Sequence, residues 1–247
     1  MRKRNFGWWL YQPYKYLVVI PVLVAATTVF ACVGAILPFL TKARTASRLS
    51  GVPWARVMAW VTPMRVTVSG RENIDPRQSY VLVSNHQSQY DIFVLYGWLG
   101  VDFKWVMKKE LRKVLGIGVA CHRLGHVFID RSNRAAAIAT LEDAKKKIAD
   151  GTSVVFFPEG TRSRSGQLKP FKKGAFRMAV DLGLPILPLT ITGTRDVLPA
   201  GTSDLMPGSA RLVIHPPVDV EGCTSEDCDR LRTEVRKIIA SSLPAEA

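Results

Sequence analysis

Acidic residues are missing from the first part of this sequence. No Asp or Glu precedes Glu72, whereas ten Lys or Arg residues lie between Met1 and Arg71, and the whole chain of 247 residues carries a net charge of +14. Such an imbalance predicts a polyanionic surface nearby, either nucleic acid or anionic lipid. The same segment contains several Trp and Tyr residues and a long aliphatic run, which favours a lipid bilayer and argues against nucleic acid.

Cysteine is also scarce. The four cysteines are unevenly placed, at Cys32, Cys121, Cys223 and Cys228. Because Cys32 lies inside the apolar run, the sequence argues against a disulfide framework and favours a reducing compartment. The Cys121-His122 pair and the nearby His126 resemble a metal cluster in composition. Gly125 and the strand predicted after it argue against a helix that would present both histidines on one face, so we predict no metal site.

The longest apolar stretch covers residues 17–40, which are 24 residues without a charge. At about 1.5 Å per residue, a helix of this length would cross the hydrocarbon core of a bilayer. Basic residues on both flanks suit a simple span, and equally a segment that enters and returns to one leaflet or lies tilted in the interface. Residues 53–61 predict a short amphipathic helix at the membrane surface. We therefore predict a membrane-docking segment over residues 1–62 and a soluble domain over residues 63–247.

The soluble part alternates short β-rich runs with helical segments and shows no internal repeat. The predicted strands cover residues 65–68, 80–83, 103–107, 126–129, 153–157, 186–191 and 211–214. The clearest helix is predicted over residues 132–150, and a last amphipathic helix over residues 225–242. This alternation predicts an α/β domain with a mixed, largely parallel sheet flanked by helices.

An imidazole and a carboxylate lie five positions apart just after the second predicted strand. His86 and Asp91 belong to the stretch Ser-Asn-His-Gln-Ser-Gln-Tyr-Asp, which joins that strand to an apolar helix. A turn leading into the first helical turn can bring the two side chains together. The carboxylate then fixes the tautomer and leaves the other ring nitrogen as a general base. A hydrogen-bonded surface pair is the alternative reading of the same two residues.

A second polar stretch follows the fifth predicted strand and reads Phe-Pro-Glu-Gly-Thr-Arg-Ser-Arg-Ser. Gly160 allows a ligand to approach the backbone closely, and Arg162 offers a planar fork that suits a phosphate. Three lysines at positions 169, 172 and 173 precede a further predicted helix, whose N-terminus would also favour an anion. A solvated basic loop is the alternative. The position of the stretch directly after a strand next to that of His86 favours a binding site.

Four motifs in this order resemble those of the glycerolipid acyltransferase family. They are Asn85-His86 with Asp91, residues 125–131, residues 157–162, and the Leu-Pro-Ile-Leu-Pro run at residues 184–188. The similarity covers roughly residues 68–192 and is greatest to the bacterial 1-acylglycerol-3-phosphate acyltransferases. The spacing of His86 and Asp91 alone is a weak signal, whereas the four motifs together at these separations are a specific one.

The resemblance implies roles for individual residues. It makes His86 and Asp91 the catalytic dyad. It assigns binding of the glycerol phosphate of the substrate to six residues: Lys108, Arg131, Glu159, Gly160, Thr161 and Arg162. Lys109 remains open as the alternative to Lys108. The apolar N-terminus is similar to the two-helix docking element of bacterial members, which implies the inner, cytoplasmic membrane with the catalytic domain on its cytoplasmic side.

The reaction implied by the resemblance is acyl transfer without a cofactor or a metal. His86 would take the proton from the sn-2 hydroxyl of 1-acylglycerol 3-phosphate as that oxygen attacks the thioester of acyl-coenzyme A or an acyl carrier protein, giving phosphatidic acid for phospholipid synthesis. Glycerol 3-phosphate, a lyso-ornithine lipid or another lysophospholipid are alternative acceptors. A non-catalytic lipid-binding module is a further alternative, but binding alone would need no base.

Overall fold

The computed structural model describes residues 6–130, 133–145, 148 and 151–244. Its N-terminal part is one apolar helical segment, Phe6–Phe39, long enough to cross a membrane by length and composition. The segment consists of α1 (Phe6–Tyr14), a π-helical turn (Lys15–Val19), α2 (Ile20–Ile36) and a 3₁₀ turn (Leu37–Phe39). Pro13 and Pro21 lie on either side of the π-helical turn. Proline has no backbone N–H and removes one helical hydrogen bond, and the wider π-helical turn lies where the regular pattern is interrupted.

The second N-terminal helix, α3 (Ala43–Val61), packs against α2. The prediction that this helix begins at residue 53 was wrong: it begins ten residues earlier, and Pro53 lies inside it. Small residues explain the extension, because Ser47 and Ser50 are buried and allow a close approach to the neighbouring elements. Farther along α3, the Trp54 indole donates to Thr27 Oγ1 of α2 at 3.1 Å. The two helices therefore form a helical hairpin, which fits the predicted docking segment.

Seven strands form one sheet in the order β1-β7-β6-β2-β5-β3-β4. They are β1 (Met64–Ser69), β2 (Val81–Ser84), β3 (Asp102–Lys108), β4 (Val127–Ile129), β5 (Thr152–Phe156), β6 (Ile186–Thr192) and β7 (Gly208–Ile214). All seven predicted strands are present. Among the described residues the pairing of β6 with β7 is antiparallel and the other five pairings are parallel. The predicted mixed, largely parallel sheet is confirmed.

Helices cover both faces of this sheet. They are α4 (Tyr90–Trp98), α5 (Ile117–Arg123), α6 (Arg134–Lys145), α7 (Gly174–Leu182), α8 (Thr194–Val197) and α9 (Cys228–Ser241). The helix predicted over residues 132–150 corresponds to α6, and parts of both its ends fall outside the described residues. A 3₁₀ turn capped by Thr224 leads into α9, where the last helix was predicted.

The central strand β2 is buried on both faces. Leu82 packs into the core formed with α3 and α4, whereas Val81 and Val83 pack into the core formed with α7 and α9. This alternation follows from the two-residue period of a strand, and a strand buried on both faces reads as an unbroken apolar run. The carboxyl end of β2 therefore delivers residues 85–91 to the middle of the sheet edge, between β5 and β6.

Candidate active site

Asn85 fixes the loop that follows β2. Its side-chain amide donates to Ile191 O at 2.8 Å, and its side-chain oxygen accepts from Ile191 N at 2.7 Å. The side chain thus continues the pairing with β6 for one more residue after the strand has ended. Because Asn85 is buried and held by two hydrogen bonds, the backbone of the next residue, His86, leaves the sheet in a fixed direction.

His86 and Asp91 form a hydrogen-bonded pair, with 2.8 Å between His86 Nδ1 and Asp91 Oδ2. The fully buried Asp91 lies in the first turn of α4, and the same oxygen also accepts from the backbone amides of Gln87 at 2.7 Å and Ser88 at 2.9 Å. Its other oxygen accepts from the Thr194 hydroxyl. An ionised carboxylate only accepts, so Nδ1 carries the hydrogen and Nε2 is the basic nitrogen.

The imidazole ring is also held from its side. The Phe157 ring stacks on it with centroids 3.9 Å apart and an interplanar angle of 9°, and Trp105 packs behind Phe157 at 5.6 Å. The His86 side chain keeps 14% of its surface exposed, so the ring is not completely enclosed by the protein. A stacked aromatic ring fixes the plane of the imidazole and favours the cation formed when the imidazole takes up a proton.

Glu159 connects the two polar stretches of the sequence, at residues 84–91 and 157–165, to each other. Its Oε1 accepts from His86 N at 2.8 Å, and its Oε2 accepts from Lys169 N at 3.1 Å. Burial raises the pKa of this carboxyl group above its ordinary value, while the two backbone amides act in the opposite direction. Both oxygens of Glu159, a predicted substrate-binding residue, are thus bound to main-chain amides.

The remainder of the turn at residues 160–162 is shaped by two lysines. Gly160 has a φ of +74°, and a Cβ there would meet the Lys172 side chain at 3.1 Å, so glycine suits this position. Lys169 Nζ donates to Thr161 Oγ1 and to Arg162 O, both at 2.9 Å. The Arg162 guanidinium is half-buried and has no ion pair or side-chain hydrogen bond within the described part of the chain. Arg162 is thus the cation of this turn best placed to receive an anion.

The other basic residues predicted near the substrate phosphate have different surroundings in the structure. Lys108 ends β3 and is exposed, whereas Lys109 pairs with Asp130. Lys108 stays the predicted phosphate ligand, with Lys109 as the alternative. Arg131 lies outside the described residues. Lys173 pairs with Asp229 at the start of α9, at 2.6 Å, and so is engaged away from the turn.

The Cys121, His122 and His126 group does not form a site. Helix α5 carries the first two residues, while the buried His126 lies beyond its end, with 2.8 Å between His126 Nε2 and Tyr96 Oη. Burial, reinforced by Lys104, lowers the pKa of His126 to about 3, so this imidazole stays neutral. Within the described ranges no group of three or more His, Cys, Asp or Glu side chains is arranged to hold a metal.

Sequence reasoning missed two residues that orient the dyad. Thr194 donates to Asp91 although it lies 103 positions later in the chain. Phe157 was recognised only as part of a motif and not as the ring that stacks on His86. A Thr that follows the Thr-Gly end of a strand carries no distinguishing signal, so the contact emerges only from the pairing of β6 with β2. An aromatic residue before Pro158 at the end of a strand next to that of His86 could have been recognised as a stacking partner.

Comparison with known proteins agrees with this geometry. A family model described as Acyltransferase matches residues 65–192. A 1-acyl-sn-glycerol-3-phosphate acyltransferase of Chlamydomonas reinhardtii is 34% identical over 96% of the chain and 69% of its own length. The alpha form of the human enzyme of that name is 35% identical over 70% of the chain and 62% of its own length. The chain thus spans about two thirds of the length of these curated relatives.

A solved structure resembles nearly the whole chain. The crystal structure of the 1-acyl-sn-glycerophosphate (LPA) acyltransferase PlsC from Thermotoga maritima superposes with a TM-score of 0.74 at 32% identity. The alignment covers 98% of this chain and 96% of that one. The similarity therefore includes the N-terminal helical hairpin as well as the α/β domain.

Proposed function

As a member of the acyltransferase family, in the group of 1-acyl-sn-glycerol-3-phosphate acyltransferases, the chain is an enzyme, and we propose that it acylates the sn-2 hydroxyl of 1-acylglycerol 3-phosphate to give phosphatidic acid. The observation that carries this proposal is the buried Asp91 carboxylate bonded to His86 Nδ1, beside a turn that presents Arg162, an arginine with no ion pair among the described residues. The acyl donor is a thioester, and the reaction uses no cofactor.

The proposed mechanism is general-base catalysis without an acyl-enzyme. His86 Nε2 takes the proton of the sn-2 hydroxyl as its oxygen attacks the thioester carbonyl, and Asp91 stabilises the imidazolium that forms. The tetrahedral intermediate then collapses, and the proton passes from Nε2 to the departing thiolate. Asp91 does not take up a proton in this scheme, because three donors besides the imidazole hold its oxygens.

Arg162 is proposed to bind the acceptor phosphate and so to set the distance from headgroup to hydroxyl. We expect Arg162→Ala to raise the acceptor KM by about 10- to 100-fold, the effect of losing one charge-assisted contact, with a smaller change in kcat. Arg164→Ala is the matched control, because Arg164 is an exposed arginine two residues away that lies against Gly201. The measurement is the formation of labelled phosphatidic acid from acyl-coenzyme A in detergent.

The same assay tests the choice of acceptor. Wild type is expected to prefer 1-acylglycerol 3-phosphate to glycerol 3-phosphate and to lysolipids that lack a phosphomonoester. Efficient use of a lyso-ornithine lipid, with no turnover of 1-acylglycerol 3-phosphate, would overturn the proposed substrate and leave the acyl-transfer chemistry intact.

We also propose that the N-terminal segment docks into one leaflet. One side of the segment is bound to the domain along its length: Trp8 Nε1 donates to Asp204 at 2.7 Å, and the buried Lys15 donates to Ser203 O at 2.9 Å. Near the other end, Arg123 donates to Ala35 O at 2.8 Å. From residue 8 to residue 35 a helix rises about 40 Å, so a span would draw the charged domain into the bilayer. The opposite side exposes apolar side chains that include Leu10, Leu17, Val24, Ile36 and Phe39.

Docking of this kind predicts that both ends of the segment lie on the same side of the membrane. A protease added to sealed, inverted inner-membrane vesicles is expected to remove an epitope tag fused before residue 6 and to digest the α/β domain as well. The triple variant Leu10→Ser, Leu17→Ser and Val24→Ser is expected to leave the membrane fraction, since it removes three exposed apolar side chains. A protected tag beside a digested domain would show a transmembrane span instead.

A further inference from the structure

A cleft adjoins the catalytic loop at Gln87. Its volume is about 960 Å³, and its walls are formed by the ends of β6 and α9, the first turn of α8, the loop at residues 165–168 and Gln87. Gln87 directly follows His86 in the chain and is held by a hydrogen bond from its side-chain amide to Ile191 O at 2.5 Å. The cleft is of the size of a small-molecule site and opens at the carboxyl edge of parallel strands, where α/β folds bind ligands.

The loop at residues 163–168 joins the turn that carries Arg162 to the wall of this cleft, which residues 165–168 line. Ser163 anchors the loop. It is buried, its backbone amide donates to His86 O at 2.7 Å, and its hydroxyl donates to Gln167 O at 2.7 Å. In the chain, Arg162 directly precedes Ser163, and the residues that line the cleft, 165–168, follow it. The hydrogen bond from Ser163 N to His86 O therefore connects this loop to the backbone of the base.

The lining of the cleft fits a polar anion better than an acyl chain. Arg195 and Arg236 face it from α8 and α9, against one acidic residue, Asp196. Arg195 donates to Ser165 O, and Arg236 Nη2 donates to Leu168 O at 3.2 Å. A guanidinium has five N–H donors, so each arginine can hold the loop and still present donors to a phosphate.

We propose that this cleft binds the phosphopantetheine arm of the acyl donor, with the phosphate on Arg195 and Arg236. The inference rests on the proposed function, since it needs a thioester donor. Acyl-coenzyme A and an acyl carrier protein share this arm, which consists of a phosphate, two amides and the thiol that carries the acyl group. The acceptor phosphate is then bound by Arg162, which precedes Ser163 in the chain, and the thioester of the arm has to reach the acceptor hydroxyl at His86 Nε2.

The test separates donor from acceptor kinetics. Arg195→Gln and Arg236→Gln are each expected to raise the KM for acyl-coenzyme A by about tenfold, the loss of one charge-assisted hydrogen bond, with the acceptor KM and kcat unchanged. Lys237→Gln is the matched control for loss of one positive charge on α9, because the exposed Lys237 does not line the cleft. With acyl carrier protein as donor, the same shift is expected, because the arm is common to both.

A binding measurement tests the cleft without acyl transfer taking place. In the His86→Ala background, calorimetry is expected to show binding of 4′-phosphopantetheine that Arg195→Gln weakens about tenfold, while pantetheine without the phosphate binds equally weakly to both proteins. A raised acceptor KM in the arginine variants, or phosphopantetheine binding that ignores both arginines, would overturn the cleft assignment. Phosphatidic acid formation by wild type would still support the proposed function in that case.

Discussion

Replacing His86 with alanine is expected to lower kcat by about 10²- to 10⁴-fold, the usual contribution of a positioned general base. The KM values of both substrates should change little, because the imidazole contributes to proton transfer rather than to phosphate or donor binding. The measurement is steady-state acyl transfer in detergent with protein of unchanged circular dichroism. His122→Ala is the matched control, since His122 is exposed on α5 and takes no part in the site.

Asp91→Asn refines this prediction by removing charge while keeping shape. The asparagine oxygen can still accept from His86 Nδ1 and from the amides of Gln87 and Ser88, and its amide can donate to Thr194. The imidazole is then still oriented, but the imidazolium loses its counter-charge. We expect a loss in kcat that is clear yet smaller than that of His86→Ala. Full activity of His86→Ala, or equal activity of Asp91→Asn and wild type, would contradict the dyad.

The parts of the site that the sequence predicts are those encoded locally. His86 and Asp91 lie within six residues at a strand-to-helix junction, so a turn of ordinary geometry can bring them together. The strands were readable because β2, β5 and β6 are buried on both faces and give short, strongly apolar runs. The contact between Thr194 and Asp91 could not be read, because it depends on which strands become neighbours in the sheet.

The main-chain contacts of Glu159 could not be predicted for a related reason. In the sequence it stands beside Gly160 and Arg162, so a ligand contact was the natural expectation. The structure turns its carboxylate toward His86 N, 73 positions earlier in the chain, and toward Lys169 N. Main-chain amides are not distinguished by residue type, so no sequence pattern reports such a contact. The start of α3 was missed because Pro53 suggested a first turn, whereas the helix continues through it.

Glu159→Gln is the second variant for which we expect a large effect. The side-chain amide keeps one oxygen acceptor but turns an NH₂ group toward the other main-chain amide, which loses its partner. An unsatisfied buried group costs about 1 to 3 kcal/mol, and a displacement of about 1 Å at a reacting group can cost about 10²-fold in rate. We therefore expect kcat to fall by about 10- to 100-fold, with a lower melting temperature.

The division of the loss between kcat and KM distinguishes positioning from binding. A residue that holds the His86 backbone acts on the transition state through the base, so its variant lowers kcat and leaves the acceptor KM nearly unchanged. Arg162→Ala is expected to do the reverse. The comparison uses both variants at the same temperature, well below each melting transition, with activity normalised to folded protein. If Glu159→Gln instead raised the acceptor KM as strongly as Arg162→Ala does, the carboxylate would have to contact the substrate, and the two main-chain hydrogen bonds would not define its role.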